Sequence, residues 1–169
     1  MRLPFLRTQE RDEPLIVAMS GVRLGDNVLF WGGRSELLLP LAARSGLSGR
    51  VVVLSENGPT LKATAERAGL LVEAESTPPT GESFDLAVIH TQGPWTTILP
   101  ALAGSVRHGG RVIVVSGTLA SGLMARLRGT PDGGPAEGEI VQTLHAAGWT
   151  RVRGIGEREG LRFVEGVRG

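Results

Sequence analysis

Five short apolar runs constrain this chain more than anything else in it: Asn27–Trp31, Arg50–Leu54, 70–74, 85–90 and 111–116. The first, Val28-Leu29-Phe30-Trp31, is continuously hydrophobic rather than alternating. A strand of that kind is expected to be covered on both faces, as in a parallel sheet. The connections include crossovers of a dozen or more residues and none of hairpin length, so five parallel strands separated by helices are predicted.

Helices are expected at 35–45, closed by Gly46, and at 59–68, closed by Gly69. Ser35 is the expected cap of the former, and Pro40 suggests that its regular part begins only near Leu39, because an interior proline removes a hydrogen bond. A further helix at 95–106 carries an interior Pro100. In the last third a helix at 119–127, a loop at 129–134 and a helix at 136–147 stopped by Gly148 lead to strands 149–155 and 162–167. Their link, Glu157-Arg158-Glu159-Gly160, is short enough to force an antiparallel hairpin. Residues 1–13 read as a loosely docked arm, followed by a short helix with Pro14 at its first position and Ser20-Gly21 at its end. The division expected is 1–21 for arm and short helix and 22–169 for one domain.

Composition removes several function classes. With 18 basic and 17 acidic residues the net charge is +1, so no footprint for nucleic acid or an anionic membrane is present. Lys62, the sole lysine, follows no glycine loop, which excludes a Walker-type nucleotide site. Cysteine and tyrosine are absent, and with them thiolate catalysis, disulfides, cysteine metal sites and a tyrosine acid. His108 and His145 have no spacing suggestive of a metal site, so none is expected. The charged amino terminus lacks a signal-peptide core and no apolar run approaches spanning length, so a soluble, cytoplasmic protein is the expectation.

The first run enters a glycine turn, Gly32-Gly33-Arg34-Ser35-Glu36, and then a helix, which is where α/β proteins commonly hold a cofactor. A tight strand-to-helix turn with no ligand fits the same residues. A dinucleotide dehydrogenase needs G-x-G-x-x-G, which Gly32-Gly33-Arg34-Ser35-Glu36-Leu37 does not supply.

Several phrases resemble the class I S-adenosylmethionine-dependent methyltransferases. Leu24-Gly25-Asp26-Asn27-Val28-Leu29 is similar to the lead into that family's first motif, and Ser83-Phe84-Asp85-Leu86-Ala87-Val88 to its fourth strand. Gly109-Gly110-Arg111-Val112-Ile113 is similar to its fifth strand, and Ala146-Ala147-Gly148-Trp149 to the end of its last helix. The resemblance covers roughly residues 22–167 and implies an α/β, Rossmann-like seven-stranded sheet, order 3-2-1-4-5-7-6, with strand 7 antiparallel and helices on both faces. It implies S-adenosylmethionine as cofactor and a small-molecule or protein methyl acceptor.

Mapped onto this chain, the resemblance places the cofactor against Gly32, Gly33 and Ser35. The acid that takes the ribose hydroxyls falls on Ser55, with Glu56 beside it, and the adenine-side contacts fall on Glu75 and Ser76. His90 ends the fourth strand facing the methyl donor, which makes it the candidate catalytic base. Thr91, Gln92 and Trp95 line the same mouth. Each has a plainer reading: an exposed carboxylate for Glu56 and Glu75, a local hydrogen bond for His90, packing for Trp95. The chain departs from the family at Phe30, where an acid is usual, and at Arg34 and Glu36, where glycines are usual. Two functions therefore stand side by side: a methyltransferase with weak cofactor binding, and an inactive methyltransferase-like domain serving as a binding or structural partner. A homodimer through the exposed end of the sheet or through 119–127 is a further expectation.

Overall fold

The computed structural model describes residues 13–81, 83–118 and 133–169. In chain order the elements are α1 (Leu15–Ser20), β1 (Asn27–Trp31), α2 (Ser35–Ser45), β2 (Arg50–Leu54), α3 (Gly58–Arg67), β3 (Glu73–Glu75) and β4 (Phe84–His90). A 3-10 turn (Trp95–Ile98) runs into α4 (Leu99–Ser105), followed by β5 (Val106–Gly117), α5 (Glu137–Ala146), β6 (Trp149–Arg158) and β7 (Leu161–Arg168). One seven-stranded sheet results, in the order β3-β2-β1-β4-β5-β7-β6. β1 to β5 are parallel, and β7 runs antiparallel to both β5 and β6.

The continuous apolar runs are explained by helices on both faces. Val28, Phe30, Val51, Val53, Leu86 and Val88 pack under α1, α2 and α3. Their neighbours Leu29, Val52, Leu54, Ala87 and Ile89 point the other way, into a second layer with Trp95, Leu99 and Leu102 and with Ile140 and Leu144 of α5. Strand alternation divides one run between two cores, so no position in it is left for a polar residue. The β6–β7 hairpin closes through Glu159 and Gly160, both at positive φ (53° and 79°), the backbone pattern of a two-residue turn matched to strand twist.

Several boundaries differ from expectation. Helix α2 is regular from Ser35 and contains Pro40, rather than beginning near Leu39. The bond forfeited is the one to the Glu36 carbonyl, and Glu36 is an exposed residue, so the missing donor falls on the solvent side of the helix. Arg34, not Ser35, is the capping residue, and it caps through its backbone. The third strand is Glu73–Glu75 rather than 70–74, because Leu70 belongs to the end of α3. The Gly69 N–H reaches Glu66 O and the Leu70 N–H reaches Ala65 O, both at 2.9 Å, and Gly69 at φ +74° makes that closure available. At Pro100 the expected helix divides into a 3-10 turn and α4, which puts the proline in a first turn where its missing N–H costs nothing. Val106 then opens β5 instead of ending the helix. The helix expected at 119–127 lies outside the described residues.

Among the described residues no helix is long and apolar enough to cross a membrane.

Candidate functional site

Strand register brings the ends of β1 to β5 to one edge of the sheet. Trp31 pairs with Leu54 and with Ile89, Leu54 with Glu75, and His90 with Val115. The residues that follow, Gly32, Ser55, Ser76 and Thr91, therefore leave the sheet along the same carboxyl edge. Between β1 and β4 the strand order reverses and the connections diverge to opposite faces, the place in an open α/β sheet where ligands are commonly held.

The two glycines of the turn do different things. Gly32 is buried at φ +156°, and a Cβ on it would lie 3.0 Å from His90 Cβ and 3.2 Å from Phe30 Cζ. Gly33 is exposed, with nothing within 4 Å of an added Cβ. The Leu37 and Leu38 N–H groups reach Arg34 O at 3.3 and 3.2 Å, leaving those of Ser35 and Glu36 at the start of α2 without an intrahelical acceptor. Phe30 is fully buried in the α1–α3 core, so its ring occupies the position of the family's acid as packing.

After β2 the chain turns at once. The Gly58 N–H reaches Ser55 O at 2.9 Å, and Ser55 Oγ accepts from the Asn57 N–H at 3.2 Å, so this hydroxyl serves its own turn. Because β2 ends at Leu54, strand alternation does not govern the direction of Glu56, which is exposed. On the neighbouring strand Glu75, level with Leu54, and Ser76 after it are both exposed.

His90 is 2% exposed. Its Nε2–H donates to Gly117 O at 3.2 Å, which leaves Nδ1 as the acceptor nitrogen of a neutral ring. Nδ1 is buried and has no hydrogen-bond partner among the described residues. Burial is the main cause holding the imidazole below its usual range; the bond to Gly117 O works against it, and the charge on Arg34 works with it. Arg34 thus acts on His90 electrostatically from the turn below.

Sequence reasoning missed what stands beside His90. Ser116 Oγ and Arg162 Nη1 both donate to Pro135 O, at 2.9 and 3.0 Å, pinning the segment before α5. An added Cβ on Gly134 would come within 2.7 Å of Ser116 Oγ and 3.4 Å of Thr91 Oγ1. Gly133-Gly134-Pro135 is legible as a turn, but its contact with the end of β5 is made across the fold and has no local signal. Trp95, 7% exposed, packs in the second core, and Gln92 is exposed. His108 Nδ1 lies 2.6 Å from Gly169 O, at the amino end of β5 and so at the other end of the strand from the candidate site. Among the described residues no group of three His, Cys, Asp or Glu is arranged to hold a metal.

No protein-family model matches the chain, and no curated protein matches it. Solved structures do. A SAM-dependent methyltransferase from Aquifex aeolicus superposes with a TM-score of 0.70 at 18% identity, over 94% of this chain and 90% of that one. A SAM-dependent O-methyltransferase from Thermotoga maritima gives 0.67 at 15% identity, over 94% and 65%. PigF with SAH gives 0.62 at 17% identity, over 92% and 61%. The chain spans less than two thirds of the latter two, and at these identities the likeness is one of fold.

Proposed function

We propose that this chain, whose fold is that of the class I S-adenosylmethionine-dependent methyltransferases, binds S-adenosylmethionine weakly at the carboxyl edge of β1, β2 and β4 and methylates a small-molecule or protein acceptor. The observation that supports this most is the convergence of Gly32, Ser55 and His90 on one edge at the reversal of strand order.

The residues present fit the cofactor in part. Gly33 leaves open space near the N–H groups of Ser35 and Glu36, which have no intrahelical acceptor, a suitable place for a carboxylate. Ser55, or Glu56 released from strand alternation, would take the ribose hydroxyls, and Glu75 and Ser76 the adenine side. His90 Nδ1 is a buried acceptor at the same edge, with no donor among the described residues. The fit is poorest at Phe30, an apolar ring where an acid is usual, and at Ser55, whose hydroxyl already accepts one bond. Losing one charged hydrogen bond reduces affinity about ten- to hundredfold, hence weak binding.

Bound there, S-adenosylmethionine supplies an electrophilic methyl group. The contribution of the chain is to position an acceptor and exclude water. His90 is held neutral by burial and turned by Gly117, so Nδ1 is the one nitrogen on which it would receive a proton. A second reading, a domain that has lost catalysis, is favoured by that same burial, since Nδ1 is covered.

Thermal denaturation with S-adenosylmethionine and S-adenosylhomocysteine tests binding, a ligand at 100 times its Kd adding about 2.7 kcal/mol. An upward shift lost in Gly33→Arg and kept in Arg34→Ala is expected. No shift at millimolar ligand sinks the proposal.

A further inference from the structure

Three leucines stand far out of the fold at the amino edge of the sheet, opposite the candidate site. Leu24, Leu47 and Leu71 are 73%, 84% and 71% exposed, whereas the described core leaves almost no other large apolar side chain in water. Leu24 and Leu47 each stand three residues before their strand, β1 and β2, and Leu71 stands two before β3. Those three strands are consecutive in the sheet and about 4.8 Å apart, so the leucines form a row about 10 Å long. Leu24 lies close over the backbone before β2: an added Cβ on Gly46, at φ +69°, would sit 2.8 Å from Leu24 Cδ1. Beside the row opens a cavity of about 440 Å³ walled by Gly49, Val51, Leu71 and Val72 and rimmed by charged side chains.

The rim decides what fits. Lys62 and Glu66 project from α3 one turn apart, and Arg50 and Glu73 form a bidentate pair at 2.6 to 3.1 Å across β2 and β3. Two cations and two anions surround an apolar centre, so the surface carries no net sign with which to select a strongly charged partner. Opposite charges one turn apart on an exposed helix are, however, a pattern that a second copy related by a two-fold axis would complement, each Lys62 then facing Glu66 of the other copy. We propose that this edge is the interface of an isologous homodimer in which the leucine row of each copy covers the other and an apolar side chain enters each cavity. The carboxyl edge stays open in such a dimer, since it lies at the other end of the strands.

Sedimentation velocity on the full chain from micromolar to millimolar concentration tests this. A concentration-dependent dimer is expected, weakened about tenfold or more by Leu47→Asp or Leu71→Asp, with melting curves of the monomers unchanged because both side chains are already solvated. Lys62→Glu and Glu66→Lys should each weaken the dimer, and the double variant should restore it. A wild-type chain that stays monomeric throughout overturns the proposal. So does a dimer indifferent to both leucine substitutions, or one weakened by the single charge reversals but not restored by the pair.

Discussion

Gly32→Ala, with Gly33→Ala beside it, separates a glycine kept for packing from one kept for access. A methyl group at position 32 meets His90 Cβ at 3.0 Å and Phe30 Cζ at 3.2 Å, both on fully or nearly fully buried residues. Phe30 is locked in the core, so relief must come from His90, whose single hydrogen bond to Gly117 O would lengthen. A φ of +156° adds backbone strain, since L side chains rarely adopt it. The strained backbone costs about 1–3 kcal/mol and the overpacking about 1–3 kcal/mol. The sum, about 4 kcal/mol, is a large part of a typical domain's stability and corresponds to a fall in Tm of roughly 8–16 °C for a chain of this length. Gly33→Ala meets nothing within 4 Å and should stay within about 0.5 kcal/mol of wild type. Urea and thermal denaturation of the two variants measure the difference directly. Equal stability for Gly32→Ala and wild type, or an equal loss in both variants, would refute the assignment of Gly32 to packing.

Four other outcomes are expected. His90 titrates below its ordinary value in the fold, so its contribution to stability is complete above about pH 6.5 and declines as pH falls through that value toward the depressed one. Stability curves of wild type and His90→Gln should therefore diverge as pH falls below about 6.5; parallel curves would contradict the buried neutral ring. Ser55→Asp, which keeps an acceptor for the Asn57 N–H, should tighten S-adenosylmethionine about ten- to hundredfold by calorimetric titration. Asp85, whose carboxylate accepts from the Asn27 N–H at 2.8 Å and Arg107 Nε at 2.6 Å, ties β1 to β4 and β5, and Asp85→Ala should lower the urea midpoint by an equivalent of about 1–3 kcal/mol. Arg107→Ala, removing an exposed partner, should cost less than about 1 kcal/mol.

Element type and order were legible in the chain because they rest on local physics: apolar runs covered on both faces, glycines that close helices, and a short link that permits only a hairpin. Asn27–Trp31 and Arg50–Leu54 fall where those rules put them. Boundaries failed where a neighbour competes for the same residues, as when the closure of α3 takes Leu70 from the third strand. The resemblance also indicated which residues would share the carboxyl edge. What it could not supply is the state of each side chain once there: that Gly32 is pressed against His90, that Ser55 bonds its own turn, that Glu56 is freed because β2 stops at Leu54, and that one nitrogen of His90 is buried with no partner among the described residues. The contacts of His90 with Gly32 and with Gly117 join residues 58 and 27 positions apart and are fixed by strand register and packing density, while the states of Ser55 and Glu56 are local but depend on where pairing with the neighbouring strands ends β2.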